Sequence, residues 1–243
     1  MEVTSKAIVL YFHHVGVSRR QHYTSMRQDQ FAHVVELLDR AGRLACWTDA
    51  LGGTKRRCQP AAAPVLLSFD DGDEETLETV PGILEPLGVT AMFFVVSGLI
   101  GAEAPLGSAP GRRRFADAEL LREVIGRGHY IGAHGITHRS FERLCRREQR
   151  NEVAGSLDEL ERLLGVRPRA FAYPFGHAPK STDDIGLPEL AFATAGDDMC
   201  LHCTPDRVSR RYVPPLEPFE GWASFLECEL ERWDGVIDRH RCG

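Results

Sequence analysis

The sequence predicts an α/β fold, because short apolar runs typical of buried strands alternate with longer segments of helical periodicity. Its 243 residues are enough for one sizeable domain or two small ones. No internal repeat or low-complexity linker divides the pattern, so we expect a single domain over residues 1–243. Hydrophobic residues make up 43% and charged residues 26%, which are ordinary values for a folded chain and exclude a disordered or fibrous protein.

The predicted strands are apolar runs bounded by turn-forming residues, as the buried strands of an α/β sheet usually are. The strand at 65–69 is the clearest, because four of its five residues are apolar and the fifth is a serine; the strand ends directly before Asp70. Pro174 ends the strand at 170–173, because proline interrupts the pairing of strands. In chain order, the predicted strands are 7–12, 65–69, 90–96, 130–133, 170–173, 190–194 and 211–213.

The predicted helices carry apolar residues three and four positions apart, which places these residues on one face. The longest predicted helix, 141–164, is closed by Gly165. Pro81 and Pro86 predict interruptions in the second helix. The segment 101–114 is rich in glycine, proline and arginine and is predicted to be a solvated surface loop. In chain order, the predicted helices are 29–38, 75–87, 115–126, 141–164 and 220–240.

Charge and cysteine content limit the expected partners and compartment. The balance of 29 basic and 35 acidic residues gives a net charge of −6, so the composition carries no electrostatic signature of nucleic-acid binding. The longest apolar run, 89–100, is too short to cross a bilayer. The first residues lack the features of a signal peptide, and seven cysteines, an odd number, do not resemble a secreted disulfide framework. We therefore expect a cytoplasmic protein that binds neither nucleic acid nor membranes.

Two adjacent carboxylates, Asp70 and Asp71, follow the strand at 65–69 and precede Gly72. Catalytic side chains collect at the carboxyl ends of parallel strands. A turn at Gly72 would let both carboxylates converge on one pocket. By itself, however, an Asp-Asp-Gly sequence is more often a simple turn.

A second motif places His134 and His138 directly after the strand at 130–133. Two imidazoles four residues apart on one helical turn lie side by side, close enough to bind one metal ion. One added carboxylate would complete a site of two histidines and one carboxylate with open positions, the arrangement of a catalytic metal. The spacing alone is also common among surface histidines.

A third motif, Tyr-Pro-Phe-Gly at 173–176, follows the next strand. A tight turn of this kind can direct a backbone N–H into a pocket, as an oxyanion donor requires, although such a sequence is often only a turn. Two further histidines, His13 and His14, follow the first strand. They either line the pocket or pack within a loop.

In this order and spacing, the three motifs resemble those of the polysaccharide deacetylase family (carbohydrate esterase family 4, NodB homology domain). The motifs read Ser-Phe-Asp-Asp-Gly at 68–72, His-Gly-Ile-Thr-His at 134–138 and Tyr-Pro-Phe-Gly at 173–176. Tyr-Phe-His-His-Val at 11–15 is similar to the N-terminal motif of the smaller bacterial members. The resemblance implies a distorted (β/α) barrel and hydrolysis of an N-acetyl amide on a sugar.

The resemblance also implies a role for each motif residue. Asp70 would be the general base, and Asp71, His134 and His138 would be the ligands of one divalent ion, usually zinc and sometimes cobalt or nickel. The backbone N–H of Phe175 would help to hold the oxyanion. The expected partner is therefore a small N-acetylated sugar substrate, and the expected cofactor is one divalent metal ion.

This sequence departs from the family pattern at several positions. Gly135 stands where a Ser or Thr is common, so a hydroxyl that braces the loop is absent. Ala172 stands where an Arg often pairs with the catalytic Asp, and Arg210 or Arg211 is the expected replacement. No clear motif supplies the general-acid histidine of the family, for which His202 is the candidate.

The expected function is metal-dependent N-deacetylation of a small glycoside or biosynthetic intermediate, because family members that act on long polymers usually carry a signal peptide or anchor. An alternative among enzymes is a deformylase or another C–N hydrolase, such as a cyclic-amide hydrolase, on the same scaffold. The alternative from another class is a catalytically idle sugar-binding module. The joint presence of both aspartates and both motif histidines argues against an idle module.

Overall fold

The computed structural model describes residues 7–17, 24–51, 63–106, 111–194, 196, 201, 204–215 and 221–239. The strands are β1 Ile8–Phe12, β2 His14–Gly16, β3 Ser25–Arg27, β4 Val65–Phe69, β5 Ala91–Val95, β6 Glu103–Ala104, β7 Arg113–Arg114, β8 Tyr130–Ala133, β9 Ala170–Ala172, β10 Leu190–Ala193 and β11 Val208–Tyr212. The α-helices are α1 Gln28–Arg40, α2 Trp47–Ala50, α3 Glu74–Leu84, α4 Ala118–Gly126, α5 Arg146–Leu164 and α6 Gly221–Arg239.

Within the described residues, seven strands close into a barrel in the order β1-β11-β10-β9-β8-β5-β4. Neighbouring strands of the barrel run parallel, so each pair needs a crossover connection. Helices α3, α4 and α5 supply the crossovers from β4 to β5, from β5 to β8 and from β8 to β9. The expected distorted (β/α) barrel is confirmed. The segments that follow β4, β8 and β9 consequently meet at one mouth, the carboxyl end of the barrel.

Alternate residues of the barrel strands divide between an inner and an outer apolar core, as the two-residue period of a strand requires. On β4, Leu66 belongs to the inner cluster with Phe94 and Phe192, whereas Leu67 belongs to the outer cluster beneath the helices. Because Leu66 faces inward, the same period directs Asp70, four residues later, toward the inside of the mouth. The strand pattern therefore explains why Asp70 is buried.

The helices pack their apolar faces on the outside of the barrel. Val153 and Leu157 of α5 are buried there, and Trp222 and Trp233 of α6 are buried in the same outer cluster. The tryptophans of α6 therefore serve packing. Helix α5 ends at Gly165, whose φ of 72° is a left-handed conformation that glycine adopts at little cost. Among the described residues, no helix is long and apolar enough to span a membrane.

Several segments differ from the sequence prediction, including the predicted helix 141–164, in which residues 141–143 form a short 3₁₀ helix and α5 begins only at Arg146. Helix α3 continues through Pro81, because Leu77 and Leu84 on either side of it are fully buried against the barrel and stabilise the helix. The predicted loop 101–114 includes an antiparallel ribbon formed by β6 and β7. Strand β11 begins earlier than the predicted strand at 211–213. The paired strands β2 and β3 are too short to show a periodic pattern in the sequence.

Candidate active site

The carboxylate of Asp70 lies in the barrel mouth and is paired with Arg210. The two terminal nitrogens of Arg210 donate to the two oxygens of Asp70, at 2.6 and 2.7 Å. Arg210 lies on β11, so its side chain crosses β1 to reach the end of β4, and its guanidinium carbon lies 4.8 Å from the centroid of the Tyr11 ring. Arg211, the other candidate partner, donates instead to the carbonyl oxygen of Gly196. The structure thus places Arg210, and not Arg211, against Asp70.

Two opposing effects determine the pKa of Asp70. Burial raises it, but the Arg210 guanidinium, together with the nearby His134 and His13, outweighs burial and lowers the pKa to about 2. Asp70 is therefore ionised at neutral pH. The bidentate contact with Arg210 balances the buried negative charge of Asp70 with a buried positive charge.

Asp71, His134 and His138 form a compact cluster beside Asp70. The Nε2 atoms of His134 and His138 lie 3.8 and 3.4 Å from Oδ1 of Asp71, and the two ring centroids are 5.0 Å apart. The ligand atoms of all three side chains lie within 4.8 Å of one another. Asp71 has a φ of 78°, so the chain turns sharply after β4. This turn lets Asp71 contribute to the mouth together with Asp70.

The protonation of the two imidazoles suits metal binding. Burial lowers the pKa of His134 and of His138 to about 4, so both rings are neutral at pH 7. Nδ1 of His134 lies 2.8 Å from the carbonyl oxygen of Ala172. A carbonyl only accepts, so Nδ1 carries the proton and Nε2, which faces Asp71, keeps its lone pair. Two neutral imidazole nitrogens and one carboxylate oxygen are a donor set that fits zinc.

The segment between the two histidines is a loop, and the expected helical turn is wrong. Gly135 and His138 have φ values of 77° and 56°, which a right-handed helix does not allow. The backbone amides of Ile136 and Thr137 donate to Oε2 of Glu152 at 2.7 and 3.0 Å, and the Thr137 hydroxyl donates to Oε1. Glu152 on α5 therefore braces this loop, although position 135 lacks a hydroxyl.

Arg113 also contacts the cluster, and the sequence does not predict it there. The segment around it was expected to be solvated, but Arg113 is 5% exposed and donates to Oδ2 of Asp71 at 3.4 Å. The other oxygen of Asp71 faces the histidines. Arg112 and Arg114 are exposed, because neighbouring residues of an extended strand point in opposite directions. Had the Arg-Arg-Arg run been recognised as a strand, the alternation of side chains along it would have indicated that the middle arginine faces inward.

The remaining expected residues have different outcomes. The ring of Phe175 lies 4.8 Å from the ring of His138, and its φ of 61° is unusual for a residue with a side chain. His13 follows β1 and is close enough to Asp70 and His138 to lower the pKa of both. His13 therefore lies at the site. His202 lies outside the described residues.

A second group of ligand-type side chains, His14, Asp73 and Glu75, also has its donor atoms within 4.8 Å of one another. His14 is buried, with Nδ1 2.8 Å from the hydroxyl of Ser25 and Nε2 2.9 Å from a carboxylate oxygen of Glu75. The other oxygen of Glu75 accepts from the amide of Val17. These contacts join the segment after β1 to the beginning of α3. Ordinary hydrogen bonds therefore occupy both nitrogens of His14.

Sequence comparison matches about half to three fifths of the chain to known proteins. Residues 58–187 match the family model for polysaccharide deacetylase. The peptidoglycan-N-acetylglucosamine deacetylase of Bacillus cereus is 29% identical over 154 residues, which cover 62% of this chain and 48% of that protein. The chain thus spans about half the length, or less, of the curated relatives that it matches.

Two solved structures share the whole barrel. IcaB from Ammonifex degensii aligns with a TM-score of 0.73 and 23% identity, covering 92% of this chain and 96% of IcaB. The Streptococcus pyogenes deacetylase PplD, in complex with acetate, aligns with a TM-score of 0.71 and 19% identity, covering 90% of this chain and 97% of PplD. At such identities these two structures support the fold. Because the family model matches more than half of the residues, the chain belongs to the polysaccharide deacetylase family.

Proposed function

We propose that this protein hydrolyses the N-acetyl group of an amino sugar, in a reaction that depends on one divalent metal ion, with zinc as the first candidate. The observation that carries the proposal is the convergence of Asp71, His134 and His138 beside the ionised Asp70. The two aspartates follow β4 and the two histidines follow β8, at the carboxyl end of the barrel, where barrel enzymes hold their catalytic groups.

The donor set fits a catalytic ion better than a structural one. Asp71, His134 and His138 offer three ligand atoms, whereas structural zinc sites are usually closed by four. A divalent ion held there would polarise the amide carbonyl of the substrate and make a water molecule more acidic. A base as weak as Asp70 needs such help, because a carboxylate with a pKa of about 2 removes a proton poorly from unperturbed water.

The chain's own residues would divide the remaining work. Asp70 accepts the proton of the attacking water, and Arg210 holds its carboxylate in position through two hydrogen bonds. The backbone N–H of Phe175 is the candidate donor to the oxyanion of the tetrahedral intermediate. A protonated group must then deliver a proton to the leaving amine. His202 and His13 are the two candidates for that donor.

The substrate that we propose is an N-acetylated amino sugar within a small glycoside or biosynthetic intermediate. Support for an N-acetylated amino sugar comes from the Bacillus cereus relative, a peptidoglycan-N-acetylglucosamine deacetylase, and from PplD, which was solved in complex with acetate; the size of the substrate is what the assay below tests. Hydrolysis of an N-formyl amide or of a cyclic amide would begin with the same attack of water on the carbonyl carbon, so those substrates are the alternatives to be compared.

The test is acetate release from a small N-acetylglucosaminide and from chitin oligomers of increasing length, with the metal content measured on the same preparation. We expect one equivalent of divalent metal per chain and loss of hydrolysis after chelation. A kcat/KM that does not rise with oligomer length supports a small substrate. A steady rise with length would contradict the small-substrate proposal, and metal-free protein that hydrolyses the amide would contradict the mechanism.

A further inference from the structure

A cleft of about 620 Å³ lies between the chain that follows β8 and the segment after β9. Its walls include Arg146 at the beginning of α5, Lys180 on the segment after β9, and Arg207 just before β11. The volume is within the range of pockets that bind small molecules. The lining residues Phe141 to Gln149 belong, like His134 and His138, to the chain between β8 and β9.

The charge of this cleft is opposite to that of the whole chain. Arg146, Lys180 and Arg207 face one acidic lining residue, Glu142, although the protein has a net charge of −6. Cations gathered in a concave surface raise the local concentration of anions. The positive charge is therefore a local property of the cleft and not a consequence of composition.

The cations of the cleft are only partly neutralised. Arg146 donates to the carbonyl oxygen of Ser181 at 2.9 Å, which orients the guanidinium without cancelling its charge. No carboxylate of the described residues forms an ion pair with Arg146 or Lys180. Arg207 lies 3.7 Å from a carboxylate oxygen of Asp206, a longer contact than a hydrogen bond. Positive charge thus remains available to a ligand.

The positive surface continues toward the metal cluster. A neighbouring cleft of about 420 Å³ shares Glu142 and adds two more arginines: Arg143, and Arg139, which is paired with Glu148 at 3.2 Å. Phe175 also lines this second cleft, and its ring lies 4.8 Å from the ring of His138. The carboxylate of Glu142 lies 3.5 Å from Nδ1 of His177, so it has a partner of its own. A molecule with its amide at the cluster can therefore extend past Phe175 into the cationic clefts.

We propose that these clefts bind an oxyanion carried by the substrate, so that the enzyme acts on N-acetylated amino sugars with a phosphate or carboxylate substituent. The proposal rests on the proposed function for its reaction, but the binding of the anion is argued from the clefts alone. Arginine suits this role, because its planar guanidinium binds carboxylate and phosphate groups through paired hydrogen bonds. A neutral sugar polymer would gain nothing from the same cations.

The first experiment compares acetate release by the metal-loaded enzyme from three substrates: neutral methyl N-acetylglucosaminide, N-acetylglucosamine 1-phosphate and N-acetylmuramic acid, which carries a carboxylate. We expect at least one anionic substrate to have a kcat/KM about 10–100-fold above that of the neutral one, with an advantage that shrinks as salt is added. The phosphate and carboxylate arms identify which source of the oxyanion the clefts prefer.

The double variant Arg146→Met, Lys180→Met should abolish most of this advantage and leave the kcat/KM of the neutral substrate unchanged. The single variant Arg146→Lys should keep part of the advantage for anionic substrates, because lysine retains the positive charge but lacks the planar pair of donors. Arg162→Met is the matched control, since Arg162 lies on the same helix, is exposed and is paired with Glu159. Equal rates on neutral and anionic substrates, or an advantage that survives the double variant, would overturn the proposal.

A binding measurement separates this proposal from the proposed function. Calorimetry with N-acetylglucosamine 1-phosphate and the metal-loaded protein should show binding that the double variant weakens about 10-fold or more. If the double variant weakens binding while no acetate is released from any substrate, the proposed deacetylation is wrong and the proposed anion site is supported. If acetate is released but binding is insensitive to the double variant, the reaction stands and the anion site is wrong.

Discussion

Two clusters of histidine and carboxylate lie near the carboxyl end of β4, and they differ in what their imidazoles contact. In the first, His134 and His138 direct Nε2 toward Asp71 at 3.8 and 3.4 Å, beyond ordinary hydrogen-bond length. In the second, His14 has hydrogen-bond partners at 2.8 and 2.9 Å on its two nitrogens. The same residue types therefore leave two imidazole nitrogens available as metal ligands in one place and form a closed hydrogen-bond network in the other.

This difference shows that the grouping of ligand-type side chains does not by itself indicate a metal site. The first cluster combines neutral imidazoles with a supporting contact behind the ligand, from His134 to Ala172. The second joins two chain segments, which is a structural task. Substitutions in the two clusters should consequently have different effects.

The largest expected effect is the loss of a metal ligand. Asp71→Asn and His134→Ala should each remove the bound metal and reduce acetate release to the uncatalysed background, because the ion is the main electrophile of the proposed mechanism. The measurement combines metal analysis with initial rates. Asp73→Asn in the second cluster is the matched control and should keep one metal per chain. Loss of metal in the control alone would reverse the assignment of the two clusters.

The next effect separates Asp70 from its neighbour Asp71. Asp70→Asn should retain the metal and lose about 10²–10⁴-fold in kcat, which is the usual contribution of a general base. The measurement is the same pair of assays, with circular dichroism as a check on folding, since Arg210 then faces an uncharged partner. Metal loss in Asp70→Asn with retention in Asp71→Asn would exchange the two roles.

A smaller effect is expected for Arg113, which positions Asp71 through the oxygen that faces away from the histidines. Arg113→Met should weaken metal binding by about 10–100-fold, as is typical for residues that support a ligand. Titration with zinc in the presence of a competing chelator measures this affinity. Arg114→Met is the control, because Arg114 lies next to Arg113 and is exposed. Equal affinities in the two variants would mean that Arg113 has no positioning role.

The smallest effect on activity is expected in the second cluster. His14→Gln should leave the metal content unchanged and lower the free energy of unfolding by about 1–3 kcal/mol, because a buried hydrogen-bonded network loses a partner. Urea unfolding gives the stability, and metal analysis of the same protein gives the stoichiometry. A stable variant that has lost its metal would place the ion at His14 instead.

Much of the fold follows from local pattern. The strand at 65–69 was predicted with its bounds, since a run of five residues between turn-forming segments is too short for a typical helix. The period of two along β4 also explains the inward position of Asp70. Closure of the barrel depends on contacts between distant strands, such as Val9 of β1 beside Arg210 of β11, and only the family resemblance predicted it.

The site was predictable where it lies in motifs and unpredictable where it depends on tertiary contacts. Asp71 and His138 belong to recognisable motifs, and the structure brings them together. Arg113 and Glu152 lie outside those motifs, and they reach the site through a short ribbon and the face of a helix. The helical turn expected for 134–138 is absent, because Gly135 and His138 have positive φ values, and Glu152 accepts from the amides of Ile136 and Thr137 in the loop that forms instead.

The contact between Gly135 and Glu152 restricts how this site can be redesigned or can diverge. A Cβ at position 135 would lie 2.9 Å from Oε2 of Glu152, and the φ of 77° there already disfavours any residue with a side chain. Restoring a serine at 135 alone would therefore displace the brace that holds the loop. Shortening the side chain at 152 would relieve this clash, but it would also remove the brace, and the positive φ would still disfavour a side chain at 135, so each position limits what the other can become.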